Sequence, residues 1–201
     1  GTTLTEQIIS CHSSVFGGGE LPYLNRLARK LYSTDGVYKL DEEISKIRSD
    51  YLVEIAKLSE GQPFVTDKMP DNFFYINLIF KAFPDAKIVH TIRDPAATCW
   101  SNFKHYFEGL GQNYSYDLAE TVHFFKQYFK LMRFWSKIYG EQIYHFNYDK
   151  FTSDQVYETK KLIDYLELSW EDACLFPEAN HRPIQTASQE QVLKKVYKNS
   201  S

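Results

Sequence analysis

A chain of 201 residues is long enough for one domain with a sizeable core. A net charge of −3 excludes the broad basic field of a nucleic-acid binder, and no apolar run reaches the roughly 18 residues of a membrane span. The three cysteines (Cys11, Cys99 and Cys174) are odd in number and widely spaced, which fits neither a disulfide framework nor a zinc site and points to a reducing, cytoplasmic setting.

In chain order, helix and strand patterns alternate. Thr2 to Cys11 reads as a helix opening directly after a glycine. Leu21, Leu24, Leu27 and Leu31 recur at helical spacing. So do Ile44, Ile47, Tyr51, Ile55 and Leu58, behind a candidate cap at Asp41. PFVTDKM (63–69) reads as a short strand, Asn72 to Phe83 as a helix broken by Pro84-Asp85, and Lys87 to Arg93 as a strand. Pro95 suits the first turn of the next helix. A long amphipathic helix carries Leu118, Val122, Phe125, Phe129, Met132 and Trp135; Asp117 opens it, with Glu120 three residues on. Gln142 to Tyr148 reads as a strand, Ser153 to Leu166 as a helix, and the chain beyond Pro177 as irregular apart from a short helix at 188–196.

Strands separated by helices predict an α/β fold: a parallel sheet flanked by helices, with ligands beyond the carboxyl ends of the strands. Lys68, Arg93 and Tyr148 end the predicted strands and are therefore site candidates. At the amino end, GTTLTEQII sets backbone N–H groups and hydroxyls at a helix start, an anion site or simply a capped turn. Arg93 offers a planar fork for phosphate, with Ser101 eight residues along; an ion pair and a packing hydroxyl fit the same residues. Glu20 closes the GGGE run and could take a proton, or could only favour a helix dipole. Lys68 could neutralise charge on a transferring group, or be a solvated surface charge.

The order of these pieces carries more than any one of them. GTTLTEQ, GGGELP, TDKMP, FPDAKIVHTIRDPAATCWSN, FNYD and TASQEQV succeed one another along the whole chain. The sequence resembles the sulfotransferase superfamily, most of all the bacterial branch often fused to tetratricopeptide repeats and related to tyrosylprotein sulfotransferases. The resemblance implies a single sulfotransferase domain over 1–201 with a P-loop-like parallel sheet, and 3′-phosphoadenosine 5′-phosphosulfate (PAPS) as co-substrate without a metal. It assigns Gly1, Thr2, Thr3 and Leu4 to the loop around the 5′-phosphosulfate, and Arg93 and Ser101 to the 3′-phosphate. Tyr148 falls near the adenine, and Thr186 and Ser188 in a segment over the nucleotide. Glu20 matches the general base and Lys68 the basic residue at the sulfuryl group. The acceptor implied is a small molecule, a glycan or a protein tyrosine, its pocket formed around residues 20–60 and 106–118.

The family's loop has a basic residue before the glycine and a strand before that, and related chains run on past KNSS with further basic residues. The sequence is therefore expected to be a piece cut at both ends, unstable or inactive alone. Two other readings stand beside this one. A P-loop kinase or NTPase would share the helix-start anion site, although Thr2 occupies the place of its lysine. A sulfotransferase-like domain could also bind without chemistry.

Overall fold

The computed structural model describes residues 1–33, 40–59, 61–107, 112–180 and 182. These form two compact units. One is built on residues 2–87 with the segment that begins at Glu171; the other is built on Ile88–Trp170 together with Gly1.

In the first unit, α1 (Thr2–Ile9) leads into β1 (Val15–Gly17), followed by α2 (Tyr23–Ser33), α3 (Leu40–Ala56), β2 (Phe64–Thr66), a 3-10 segment (Pro70–Tyr75) and α4 (Ile76–Ala82). Strands β1 and β2 are parallel, in the register Val15↔Phe64, Phe16↔Val65, Gly17↔Thr66. The core joins Leu24, Leu27 and Ala28 of α2 to Ile44 and Ile47 of α3 and Leu78 and Ala82 of α4. Burying each of the larger side chains stabilises the unit by about 1.5–3 kcal/mol. Arg48 Nη1 of α3 donates to the Ala82 carbonyl at 2.7 Å and so satisfies an end group of α4.

Three sequence expectations change here. Strand β1 was not expected, because three residues before a glycine run carry too little alternation to read as a strand. The predicted helix over Asn72–Phe83 is a 3-10 turn followed by α4; Tyr75, at φ −112° and ψ 14°, lies outside helical geometry between them. Asp41 is not a cap, because α3 already starts at Leu40; it joins Glu42 and Glu43 in the first turn, where negative charge suits the helix dipole.

In the second unit, β3 (Ile88–Ile92) is followed by α5 (Pro95–Lys104), a 3-10 turn (Asn113–Tyr116), α6 (Leu118–Tyr139), β4 (Ile143–Asn147), α7 (Tyr148–Ser153) and α8 (Gln155–Tyr165). Strands β3 and β4 are parallel, from Ile88↔Ile143 to Ile92↔Asn147. Asp117 caps α6 as expected, its carboxylate accepting from the Glu120 amide at 2.9 Å. The helix expected over Ser153–Leu166 is α8, which Asp154, in a non-helical conformation, caps; the short helix α7 before it was not expected, and Asn147 caps that one. Tyr165 of α8 pegs the strand starts: its hydroxyl accepts from the Ile88 amide at 3.1 Å and lies 2.7 Å from the Gln142 carbonyl. Ile143, Phe146, Phe151, Leu162 and Ile163 form the buried interior beneath. The short helix expected at 188–196 lies outside the described residues.

A polar chain crosses this unit. The Ser136 hydroxyl donates to the Met132 carbonyl at 2.8 Å, so His145 Nε2–H must donate to Ser136 Oγ at 3.2 Å. His145 Nδ1 is then bare and accepts from His90 Nδ1–H at 2.9 Å; His90 Nε2 in turn accepts from the Tyr128 hydroxyl. One backbone carbonyl thus fixes both tautomers, and both rings are neutral. Burial, and then the neighbouring His145, lowers the His90 pKa from 6.5 to about 4. A depressed histidine pKa means that the unfolded chain takes up a proton below about pH 6.5, while the fold does not until about pH 4. Stability is therefore lost as pH falls through that window, by about 3 kcal/mol at its lower end. Urea midpoints at about pH 7 and about pH 5 are expected to show the fall, and His90→Gln to shrink it, because glutamine can bridge but cannot gain the proton. A fall of equal size in His90→Gln would contradict this assignment.

Candidate active site

In the first unit, β1 runs into the glycines Gly17, Gly18 and Gly19 and delivers Glu20; β2 runs into Asp67 and Lys68. The Lys68 amide donates to the Gly19 carbonyl at 2.8 Å, which ties the two strand exits together. Lys68 Nζ then donates to Glu20 Oε1 at 2.6 Å. The lysine side chain is 9% exposed and the glutamate 36%, so the cation is held inside while the carboxylate faces out, where a proton donor can reach it. Glu20 and Lys68, 48 residues apart in sequence, are brought together as one pair.

Each glycine has its own reason. A Cβ on Gly18 would sit 2.3 Å from the Thr66 carbonyl oxygen, part of the backbone, which cannot step aside. Gly19 has open space around it but adopts φ 71°, which side chains disfavour. Gly18→Ala is expected to pry β1 from β2 and to cost about 1–3 kcal/mol, read as a fall in thermal midpoint. An unchanged midpoint would contradict this packing.

Next to Lys68, Asp67 accepts from the Tyr51 hydroxyl at 2.8 Å and from Asn72 Nδ2 at 3.1 Å. Burial pushes the Asp67 carboxyl above the usual carboxylate range, against these hydrogen bonds; burial, and then Asp67, likewise raise the Tyr51 hydroxyl. Asp71 is raised by burial and then by the charge of Glu20. The base candidate therefore sits in an acidic neighbourhood, with Lys68 at hydrogen-bond range and the charge of Arg29 opposing that of Asp71.

Thr2, Thr3 and Leu4 form the first turn of α1, where the opening N–H groups of a helix have no intrahelical acceptor. Thr3 is buried and Thr2 exposed.

The second unit holds the other candidates. Arg93 follows directly on β3, and its guanidinium carbon lies 5.1 Å from the centre of the Tyr148 ring. Tyr148 is the first residue of α7 rather than a strand end, because Asn147 caps the helix just before it. Gly1 lies against the same ring: a Cβ there would be 3.3 Å from Tyr148 and 3.0 Å from the Thr91 methyl. Gly1, Arg93 and Tyr148 are thus brought together. Asp149 accepts the Asp94 amide at 2.9 Å, and Asp94 accepts the Ala97 amide at 2.8 Å. The start of α5 is therefore capped by its own aspartate. Ser101 is half-buried on α5, its carbonyl 3.1 Å from His105 Nδ1. Thr186 and Ser188 lie outside the described residues.

Three residues of the first unit were missed in the sequence reading. Glu6, Thr66 and Arg182 bond directly to the glycine loop. A charged residue on the buried face of an amphipathic helix was the available signal for Glu6.

A carboxylate and a lysine are thus paired at the exits of two parallel strands, where α/β folds place their ligand sites. The chain belongs to the sulfotransferase family, whose model matches residues 1–172. It is also 32% identical, over 215 aligned positions, to an uncharacterized protein of Aquifex aeolicus (strain VF5); the match covers all of this chain and 28% of the relative, so the chain spans little more than a quarter of that protein's length. Among the described residues no helix is long and apolar enough to cross a membrane, and no group of three or more metal-ligating side chains occurs.

Proposed function

We propose that the protein moves a sulfuryl group from PAPS to a hydroxyl or amine acceptor, with Glu20 as general base. The observation that carries this reading is the 2.6 Å pair of Glu20 and Lys68 on a glycine-built turn. Glu20 takes the acceptor's proton as the acceptor's oxygen or nitrogen attacks sulfur. The bond from sulfur to the bridging phosphate oxygen breaks, and 3′-phosphoadenosine 5′-phosphate leaves. Lys68 has three N–H bonds, so it can hold Glu20 with one and meet the charge on the bridging oxygen with another. The opening turn of α1, Thr2 to Leu4, supplies backbone N–H groups for the phosphosulfate, and Gly1 leaves room for close approach. Arg93 and Ser101 take the 3′-phosphate, and Tyr148 offers its ring to the adenine. Thr186 and Ser188 are assigned to the nucleotide as well.

The residues fit such a donor on two counts. Arg93 is a fork-shaped cation stacked on an aromatic ring rather than a helix-end charge, and bidentate phosphate recognition uses that geometry. The α1 turn follows a glycine that already packs against its neighbours without a side chain. The test is to supply the full chain with PAPS labelled in its sulfuryl group and a panel of alcohols, phenols and amines. Label transferred to one acceptor class supports the reading. Nucleotide bound and retained, with no label moved to any class, would leave a binding domain instead.

A further inference from the structure

Hydrogen bonds from several parts of the sequence hold the glycine loop that carries Glu20, and they lead to a buried cluster that the mechanism above does not use. Glu6 of α1 is 3% exposed. Its Oε1 accepts from the Gly19 amide at 2.8 Å and from the Thr66 hydroxyl at 2.7 Å; its Oε2 accepts from Arg182 Nη2 at 2.5 Å. Arg182 Nη1 donates to the Gly17 carbonyl at 2.9 Å, and its Nε donates to the Gln7 side-chain oxygen. The Gly18 amide donates to the Thr66 carbonyl at 3.1 Å. The Gly19 carbonyl accepts from Lys68.

Three successive glycines have no side chains with which to fix their own backbone, and glycine gives up the most conformational freedom on ordering. Here the fixing groups come from elsewhere in the sequence. One carboxylate of Glu6 grips Gly19, the residue before Glu20, and also Thr66, two residues before Lys68. Arg182 neutralises that carboxylate while gripping Gly17 from the other side. A Cβ on Gly17 would lie 2.6 Å from Arg182 Nη1, so glycine is what lets the guanidinium approach.

We propose that Glu6 and Arg182 are positioning residues: the buried ion pair sets the distance and angle between Glu20 and Lys68, and through them the turnover rate. The proposal rests on Glu20 and Lys68 acting as described above. Neither Glu6 nor Arg182 is assigned to touch substrate.

The test uses the full chain with Arg182→Lys, which keeps the charge beside Glu6 but cannot reach Gly17 and Gln7 as well, and with Glu6→Gln, which keeps an acceptor but removes the charge. Amide hydrogen exchange is read at Gly19 and Lys68, with Thr91 and Phe146 of the other unit as controls. Steady-state transfer from PAPS is read beside it. In variants that remain folded, exchange at Gly19 and Lys68 is expected to rise at least about 10-fold with the controls unchanged. Turnover is expected to fall at least about 10-fold, while KM for PAPS stays within about threefold. The double variant Glu6→Gln/Arg182→Lys is expected to be no worse than the worse single, because both act on one contact. Unchanged exchange in a folded variant overturns the proposal, as does raised exchange with unchanged turnover. Wild-type protein that binds 3′-phosphoadenosine 5′-phosphate but transfers nothing fails at the earlier step: it overturns the sulfotransferase reading, and the catalytic role of the pair with it, whatever the exchange shows.

Discussion

Replacing Glu20 by glutamine is expected to lower the turnover of sulfuryl transfer by about 10²–10⁴-fold, the usual contribution of a positioned general base. Glutamine keeps an oxygen for Lys68 Nζ and is close in size, so the turn that holds both residues should survive. The fall should therefore appear in kcat, with thermal midpoint and nucleotide affinity near those of the wild type. Lys68→Met attacks the same pair from the other side: it removes the donor for the bridging oxygen, and a loss of about 10²–10³-fold is expected. Because the two act on one transferring group, the double variant should lose far less than the product of the two losses. Turnover within about threefold of wild type in Glu20→Gln would move the base elsewhere and leave the 2.6 Å pair a structural ion pair.

Arg93→Ala is expected to weaken binding of 3′-phosphoadenosine 5′-phosphate by about 10²-fold, the loss of charge-assisted hydrogen bonds worth about 3 kcal/mol. Affinity for AMP, which has no 3′-phosphate, should change by no more than a few-fold. The ratio of the two affinities is thus the informative quantity: it should collapse in Arg93→Ala. A loss that is equal for both nucleotides would mean that Arg93 supports the Tyr148 ring at 5.1 Å rather than reading the extra phosphate. Calorimetry on the wild type and the variant decides between these roles.

The residues that can be read singly from a sequence were those with a strong local signal. Arg93 follows a five-residue run in which all but His90 are apolar or β-branched, and precedes Asp94-Pro95, a boundary that the strand β3 and helix α5 obey to within a residue. Asp117 and Glu120 announced the start of α6 for the same reason, since a cap acts within one turn. Strand β1 gave no such signal: Val15–Gly17 is short, and its pairing with β2 depends on residues 49 positions away. The pairing of Glu20 with Lys68 was readable as chemistry but not as distance, because nothing local to GGGE or TDKMP says that the two strand exits meet. Glu6 and Arg182 were invisible for the same reason, being 176 residues apart. The six-residue helix α7 was missed because it is too short to show a hydrophobic period, and its first residue, Tyr148, reads as the end of β4. Long-range polar contacts, and elements of fewer than about four residues, are the two classes that periodicity does not encode.

Family membership is carried by the sequence match over residues 1–172, while the donor and the site assignments rest on residue types and placement. The most direct test is calorimetric titration of the full chain with 3′-phosphoadenosine 5′-phosphate, beside AMP and ATP. The bisphosphate is expected to bind at least about 10²-fold more tightly than either of the others, because the role proposed for Arg93, just beyond β3, is to read the 3′-phosphate that both lack. ATP binding as tightly as the bisphosphate, or more tightly, would contradict it and favour a P-loop kinase or NTPase.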